Sequence, residues 1–192
     1  NAKGAFITVS GGATAHMYEN VTLQNRQQVD QACVVLEENS VFNMHGGVIQ
    51  NCKGKYGGVS LKNGSGFIME GGTISGCSAS EGGGLYAENS TITMEGGTIS
   101  GCSAGAGGGL YATYSSKITI NKGTISECSA SEGGGLYVDG STLTIEGGTI
   151  SGCTASGAGM GGGLCAYNSI ITIGGGTIEK NRAIYGGGVA LN

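Results

Sequence analysis

The chain has 192 residues, of which 42 are Gly and none is Pro or Trp. Collagen is excluded because no Gly recurs at every third position and collagen needs Pro. Disorder is disfavoured because 39% of the residues are hydrophobic and only 11% are charged. The net charge of -4 gives no electrostatic reason to bind nucleic acid or an anionic membrane. The longest apolar run, Ala32 to Leu36, is too short for a membrane-spanning helix.

Residues 21–192 form a regular repeat. For residues 1–20 we predict an irregular first partial coil. Three series of apolar anchors recur along the chain, and the first series advances by 25 to 28 residues at each step. Self-similarity at a period of this length is typical of solenoids. The first series is Leu23, Ile49, Ile74, Ile99, Ile125, Ile150 and Ile178. The second is Val34, Val59, Leu85, Leu110, Leu136, Leu164 and Val189, and the third is Phe42, Phe67, Ile92, Ile118, Leu143 and Ile171.

Each anchor lies in a short stretch that alternates polar and apolar residues, as in Thr91–Met94 and Thr142–Ile145. This alternation predicts strands, and the Gly and Ser clusters between them disfavour helices. One repeat therefore holds three short strands, which bury their apolar faces only by stacking on the next repeat, ~4.8 Å away. We predict an all-β chain of one domain, 1–192. It is a right-handed parallel β-helix of about seven coils, with about 25 residues in each coil.

The recurring units GGTI, as in Gly71 to Ile74, and GGGLY, as in Gly82 to Tyr86, resemble the GGA[ILV] repeats of chlamydial polymorphic outer-membrane proteins. They are also similar to adhesin-like β-helix repeats on the surfaces of bacteria and archaea. The resemblance spans residues from about 21 to 192. It implies a right-handed parallel β-helix that is exported, with an adhesive or structural role.

Five cysteines, each three residues after a first-series anchor, form one column when the repeats are stacked. A buried structural thiol ladder is the first interpretation, because free Cys packs as a small apolar residue. Disulfides between neighbouring coils and metal binding are the alternatives, although the column has no CxxC and no neighbouring His. We expect the thiols to be buried and mainly reduced. The five are Cys52, Cys77, Cys102, Cys128 and Cys153.

Two rows of outward-pointing side chains are the candidate binding surface. Exposed, stacked Tyr rings can bind sugar rings or a protein partner, or can simply cover a sheet face. Ranks of Thr next to Ser resemble the flat faces of ice-binding solenoids, although Thr is also a common strand residue. The tyrosines are Tyr86, Tyr111 and Tyr137. The threonines are Thr73, Thr98, Thr124 and Thr149.

Enzyme chemistry has little support in the sequence, since no pair of Asp occurs and Arg26 and Arg182 lie at opposite ends of the chain. We expect no catalytic residue, no metal and no cofactor. The leading hypothesis is a non-catalytic extracellular β-helix, an adhesin or stalk segment at the cell surface. The alternatives are a polysaccharide lyase or hydrolase and an ice-binding solenoid. The expected partners are surface glycans or proteins, or further copies stacked head to tail into filaments.

Overall fold

The structure, a computed structural model, describes residues 4–27, 30–156 and 159–192 of the chain. In these ranges the chain is all-β, and its short strands return to the same three sheets in every coil. All strand pairs that join successive coils are parallel and in register, as in Leu85 with Leu110. The predicted parallel β-helix with three strands per coil and about seven coils is confirmed.

The first sheet has eight strands and carries the second-series anchors. Its strands are β1 (Ile7–Val9), β4 (Val34–Leu36), β7 (Val59–Leu61), β10 (Leu85–Glu88), β13 (Leu110–Thr113), β17 (Leu136–Asp139), β21 (Leu164–Tyr167) and β24 (Val189–Leu191).

The second sheet has seven strands and carries the third-series anchors. Its strands are β2 (Thr14–Met17), β5 (Val41–Met44), β8 (Gly66–Met69), β11 (Thr91–Met94), β14 (Lys117–Ile120), β18 (Thr142–Ile145) and β22 (Ile170–Ile173). The described part of the stretch 1–20 thus contains β1 and β2, which pair in register with β4 and β5.

The third sheet has seven strands and carries the first-series anchors. Its strands are β3 (Thr22–Gln24), β6 (Val48–Gln50), β9 (Thr73–Ser75), β12 (Thr98–Ser100), β15 (Thr124–Ser126), β19 (Thr149–Ser151) and β23 (Thr177–Glu179). A short parallel pair, β16 (Ser129–Ala130) and β20 (Thr154–Ala155), lies between the third and first sheets in two coils.

The core is the interior of the coil, where the three anchor series meet. Ile74, Leu85 and Ile92 come from three different sheets, and each is fully buried. The same residue type stacks from coil to coil, and the rings of Phe42 and Phe67 lie 6.0 Å apart. Anchors in the last described coil, such as Ile178, are only partly buried but pack against this core.

Glycine triplets form the corner that leads into the first sheet. At Gly108 an added Cβ would lie 2.5 Å from the carbonyl oxygens of both Gly134 and Ser129, so no larger residue fits without moving the backbone. The triplets therefore allow neighbouring coils to approach closely at this corner. No helix among the described residues is long and apolar enough to span a membrane.

Candidate functional site

Five tyrosine rings stack in one continuous row along the first sheet. The inner rings are nearly parallel: Tyr86 and Tyr111 are 5.5 Å apart with an angle of 7° between their planes, and Tyr111 and Tyr137 are 5.0 Å apart at 4°. Tyr56 lies 4.0 Å from Tyr86 at one end, and Tyr167 lies 5.6 Å from Tyr137 at the other. We call Tyr56, Tyr86, Tyr111, Tyr137 and Tyr167 the tyrosine row.

The sequence pattern missed both ends of the tyrosine row. The register places Ser60 and Cys165 where the next tyrosines would stand. Tyr56 instead reaches this position from the corner before β7, and Tyr167 comes from two residues beyond Cys165 on β21. No repeat position predicts either ring, because each belongs to a different register from the tyrosines that it contacts.

The expectation that Tyr86 is exposed is wrong. Its exposed fraction is 4%, because the rings of Tyr56 and Tyr111 cover its two faces. Tyr111 and Tyr137 are half-buried for the same reason. Flat stacking of a sugar on the inner rings is therefore blocked, and the row presents ring edges and hydroxyl groups to a ligand.

A groove of about 720 Å³ runs beside the tyrosine row. Its size is in the range of small-molecule sites, about 300–1,000 Å³. We call it the tyrosine groove. Its lining residues are Lys55, Tyr56, Lys62, Glu81, Tyr86, Glu88, Tyr111, Thr113, Tyr114, Ser115, Asp139 and Gly140.

One end of the tyrosine groove holds a side-chain ammonium of the chain itself. The Nζ of Lys62 donates to the hydroxyl of Tyr56 at 3.2 Å and lies 3.5 Å from Oε2 of Glu88. It also lies 4.8 Å from the centre of the Tyr56 ring, within cation–π distance. Glu88 in turn accepts a hydrogen bond of 3.0 Å from the hydroxyl of Tyr86. The groove thus binds an amine with a carboxylate, a phenol and an aromatic face.

The pKa shifts in the groove indicate that it favours positive charge. Burial lowers the pKa of Lys62, but its hydrogen bond to Tyr56 and its attraction to Glu88 outweigh this effect, and the net pKa is raised. Burial, followed by the negative charges of Glu81 and Asp139, raises the pKa of Tyr111. Positive charge is therefore stabilised here, and ionisation of the phenols is opposed.

Asp139 lies in the same side-chain row as Glu88, two coils further along. Glu88 pairs in register with Thr113, and Ala112 pairs with Val138, which places Asp139 beside Thr113. Asp139 is half-buried, and among the described residues no Lys, Arg or His pairs with its carboxylate.

Tyr114 is the exposed aromatic ring of the groove. It is 69% exposed, with a φ of 51°, and Ser115 after it has a φ of 60°. A left-handed conformation costs a non-glycine residue roughly 1–2 kcal/mol. The anchors Leu110 and Ile118 are eight positions apart, whereas Leu85 and Ile92 are seven apart, and the extra residue lies in this turn. Two other coils have the same eight-position spacing, with Glu38 and Asn63 at the positive φ. The spacing therefore signals the turn, and the aromatic residue in it is what distinguishes Tyr114.

The predicted threonine row lies on the third sheet, away from the tyrosine groove. Thr73 pairs in register with Thr98, and Thr124 with Thr149. All four are half-buried, because the stacked neighbours cover one another.

The predicted cysteine column is corrected at one position. Cys52 is not a free thiol but is bonded to Cys33, with the two Cα atoms 6.0 Å apart. Each remaining thiol donates to the carbonyl two residues before it, as Cys128 does to Ser126 at 3.3 Å. The remaining members, Cys77, Cys102, Cys128 and Cys153, are free and buried, and so is Cys165.

Hydrogen bonding within the column also changes the acidity of these thiols. Hydrogen bonds to Cys128 and Cys77, together with burial, raise the pKa of Cys102. Its thiol is thereby held protonated, which disfavours reaction as a nucleophile or metal ligand. Among the described residues, no group of three or more His, Cys, Asp or Glu could hold a metal ion.

A second polar column lies at the turns after the second sheet, at the opposite edge from the groove. His16 and His45 stack with ring centres 5.3 Å apart, and Nδ1 of His45 lies 2.6 Å from Oε2 of Glu70. Further along, Asn121 donates to Glu95 at 2.7 Å. Glu70 and Glu95 therefore each have a side-chain partner in this column. Neither of them lines the tyrosine groove.

Parallel coils with three in-register sheets define a β-solenoid. The family described as "Right handed beta helix region" matches residues 32–192, and the chain belongs to that family. No curated protein and no solved structure matches the chain.

Proposed function

We propose that this chain is a non-catalytic, extracellular β-helical segment that binds glycans through the tyrosine groove. The observation that supports this most directly is the groove itself, where hydroxyl edges, carboxylates and an exposed aromatic ring follow one another along a rigid sheet. Glycan recognition uses these groups, because sugars present many hydroxyls and one apolar face. Several weak contacts at fixed spacing raise the binding strength of a repeating polymer.

The proposal assigns structural roles to the remaining rows. The buried thiols act as a reduced packing ladder, since they are inside the core and small enough to fill a corner. The Thr and Ser ranks cover the third sheet. Head-to-tail association into filaments is part of the same proposal, and electron microscopy of the purified chain at high concentration tests it.

The test of the proposed function is a glycan array probed with the purified chain, followed by direct binding measurements. We expect selective binding to soluble oligosaccharides, with affinity lowered by Tyr114→Ala. A matched control is Tyr18→Ala, since Tyr18 is also 60% exposed but lies outside the groove. The absence of binding to every glycan, or equal losses from both variants, contradicts the proposal.

Cleavage of a polysaccharide is the second candidate, because two carboxylates of one side-chain row, Glu88 and Asp139, line the groove. They lie two coils apart, roughly 10 Å at ~4.8 Å per coil. This is slightly more than the about 6.5–9.5 Å between the carboxyl groups of inverting glycosidases, so the spacing supports cleavage less than binding. Incubation of each bound oligosaccharide with the chain, followed by mass analysis, separates the candidates. Shortened products that disappear in Asp139→Asn would establish the enzyme, and intact ligand supports the binding role.

A further inference from the structure

The tyrosine groove contains two comparable amine-binding positions, one occupied and one open. At the first, the Lys62 ammonium lies between the carboxylate of Glu88 and the hydroxyl of Tyr56. At the second, Asp139 lies two coils further along the same row, close enough to Tyr111 and Tyr137 that its charge raises the pKa of both phenols. No cationic side chain of the described residues reaches Asp139.

Further recognition groups surround the open position. Thr113 lies between Glu88 and Asp139 in the row and is 7% exposed. Tyr114 and Ser115 stand at the rim of the groove, and both are exposed. A ligand that fits must therefore offer an ammonium group, several hydroxyls and an apolar face. An amino sugar combines all three, whereas a simple alkyl amine offers only the first.

Resting on the proposed glycan-binding function, we propose that the tyrosine groove selects oligosaccharides with free primary amines. One ammonium group binds the carboxylate of Asp139, as that of Lys62 binds Glu88. The sugar ring packs on the exposed face of Tyr114, and its hydroxyls bond to Ser115 and the phenol of Tyr111. The contact is a charge-assisted hydrogen bond, which is about twice as strong as a neutral one.

The experiment uses two ligands that differ only at their amino groups: β-1,4-linked glucosamine oligomers with free, charged amines, and the same oligomers fully N-acetylated and therefore neutral. Binding to the intact chain is measured by calorimetry at low and high salt. We expect the free-amine oligomer to bind at least about tenfold more tightly than the acetylated one. We expect added salt to reduce this preference, because it screens the charge pair.

Three variants locate the interaction. Asp139→Asn keeps the size of the side chain and removes the charge, and we expect it to abolish the preference for the free amine. Tyr114→Ala should weaken the binding of both oligomers to the same extent. Glu146→Gln is the matched control: it removes one exposed carboxylate outside the groove, so binding should not change. Circular dichroism of each variant verifies the fold.

The outcomes distinguish this proposal from the one on which it rests. Equal binding of the two oligomers, or an equal effect of Glu146→Gln and Asp139→Asn, overturns the amine selectivity and leaves glycan binding intact. The absence of binding to any oligosaccharide overturns both. If Asp139→Asn does not fold, the wild-type comparison of the two oligomers across salt still decides.

Discussion

Cys33 is bonded to Cys52 across the corner at which Gly58 faces Cys77 in the next coil. Cys33 occupies the place of Gly58, because Val34 and Val59 pair in register. An added Cβ at Gly58 would lie 3.6 Å from the Sγ of Cys77. The disulfide therefore forms at a position where the other coils bring a glycine and a cysteine into contact. The same Cβ-to-Sγ distances are 3.6 Å at Gly84 and Cys102, 3.4 Å at Gly109 and Cys128, and 3.3 Å at Gly135 and Cys153.

Replacing the partner outside the column tests how much this cross-link stabilises the chain. Cys33→Gly restores the residue that the repeat prefers and leaves Cys52 as a free thiol. The bond joins residues 19 apart. We expect the free energy of unfolding to fall by about 3 kcal/mol under oxidising conditions. Urea unfolding with and without reductant measures this, and a difference that persists in reductant would refute the assignment to the disulfide.

Because the coils approach closely, a methyl group at Gly108 should lower the free energy of unfolding substantially. Ser129, whose carbonyl oxygen and N–H lie near this Cβ position, is held by inter-coil hydrogen bonds from Ala104 and to Cys102, so Gly108→Ala should destabilise by about 3 kcal/mol. The control is Gly101→Ala, where nothing lies within 4 Å and only the φ of 59° is unfavourable. That change should cost about 1 kcal/mol. Equal thermal unfolding of the two variants would count against the packing at this corner.

The tyrosine row should stabilise the fold through its ring contacts. Tyr111→Leu removes the contacts with Tyr86 and Tyr137, each worth about 0.5–1.5 kcal/mol beyond area burial. We expect a loss of about 1–3 kcal/mol in the free energy of unfolding. Tyr114→Leu serves as the control, since Tyr114 makes no ring contact among the described residues and keeps the same backbone. If the two variants are equally stable, the stack contributes nothing.

The strained turn predicts that stability and binding respond in opposite directions. Tyr114→Gly relieves the left-handed conformation, so the free energy of unfolding should rise by about 1 kcal/mol. The same change should weaken glycan binding, because it removes the exposed ring of the groove. Asn89→Gly provides the comparison: its φ is 46°, but Asn tolerates this region, so its gain should be smaller. A destabilised Tyr114→Gly would show that the side chain supports the fold.

The raised pKa values of the tyrosine row predict sensitivity to alkali. Burial raises the pKa of Tyr86 and Tyr137, and raises the pKa of Tyr167 to about 12, whereas an unfolded tyrosine titrates near 10. Between these values the folded chain holds protons that the unfolded chain has lost. Stability is therefore complete below about pH 10 and falls as the pH rises towards about 12.

Ultraviolet absorbance of tyrosinate, recorded with and without urea, compares the titration of the folded and unfolded chains. The native titration should lie at higher pH than the titration in urea, and urea unfolding should need less denaturant at high pH. Coincident titration curves, or stability that is constant through this range, would contradict the assignment of the row to a buried, proton-retaining environment.

The periodic part of the sequence was sufficient to predict the fold, because the anchors repeat at a spacing that only stacked coils can bury. The environment of residues that depart from the period could not be predicted in the same way. Alternation predicted that Tyr86 points outward, but it carries no information about Tyr56, which covers that face from another register. Likewise, the column rule grouped Cys52 with the thiols, although Cys33 in a glycine position was the visible signal of its bond. Irregular positions need three-dimensional neighbours for their interpretation.

The cross-link also limits local opening of one coil. In a chain of stacked repeats each coil is held by its neighbours. Cys33 precedes β4 and Cys52 follows β6, so the bond closes the coil that contains β4, β5 and β6 on itself. Amide hydrogen exchange in these three strands should therefore be slower in the oxidised chain than in the reduced chain, whereas exchange in a distant strand such as β18 should be the same in both.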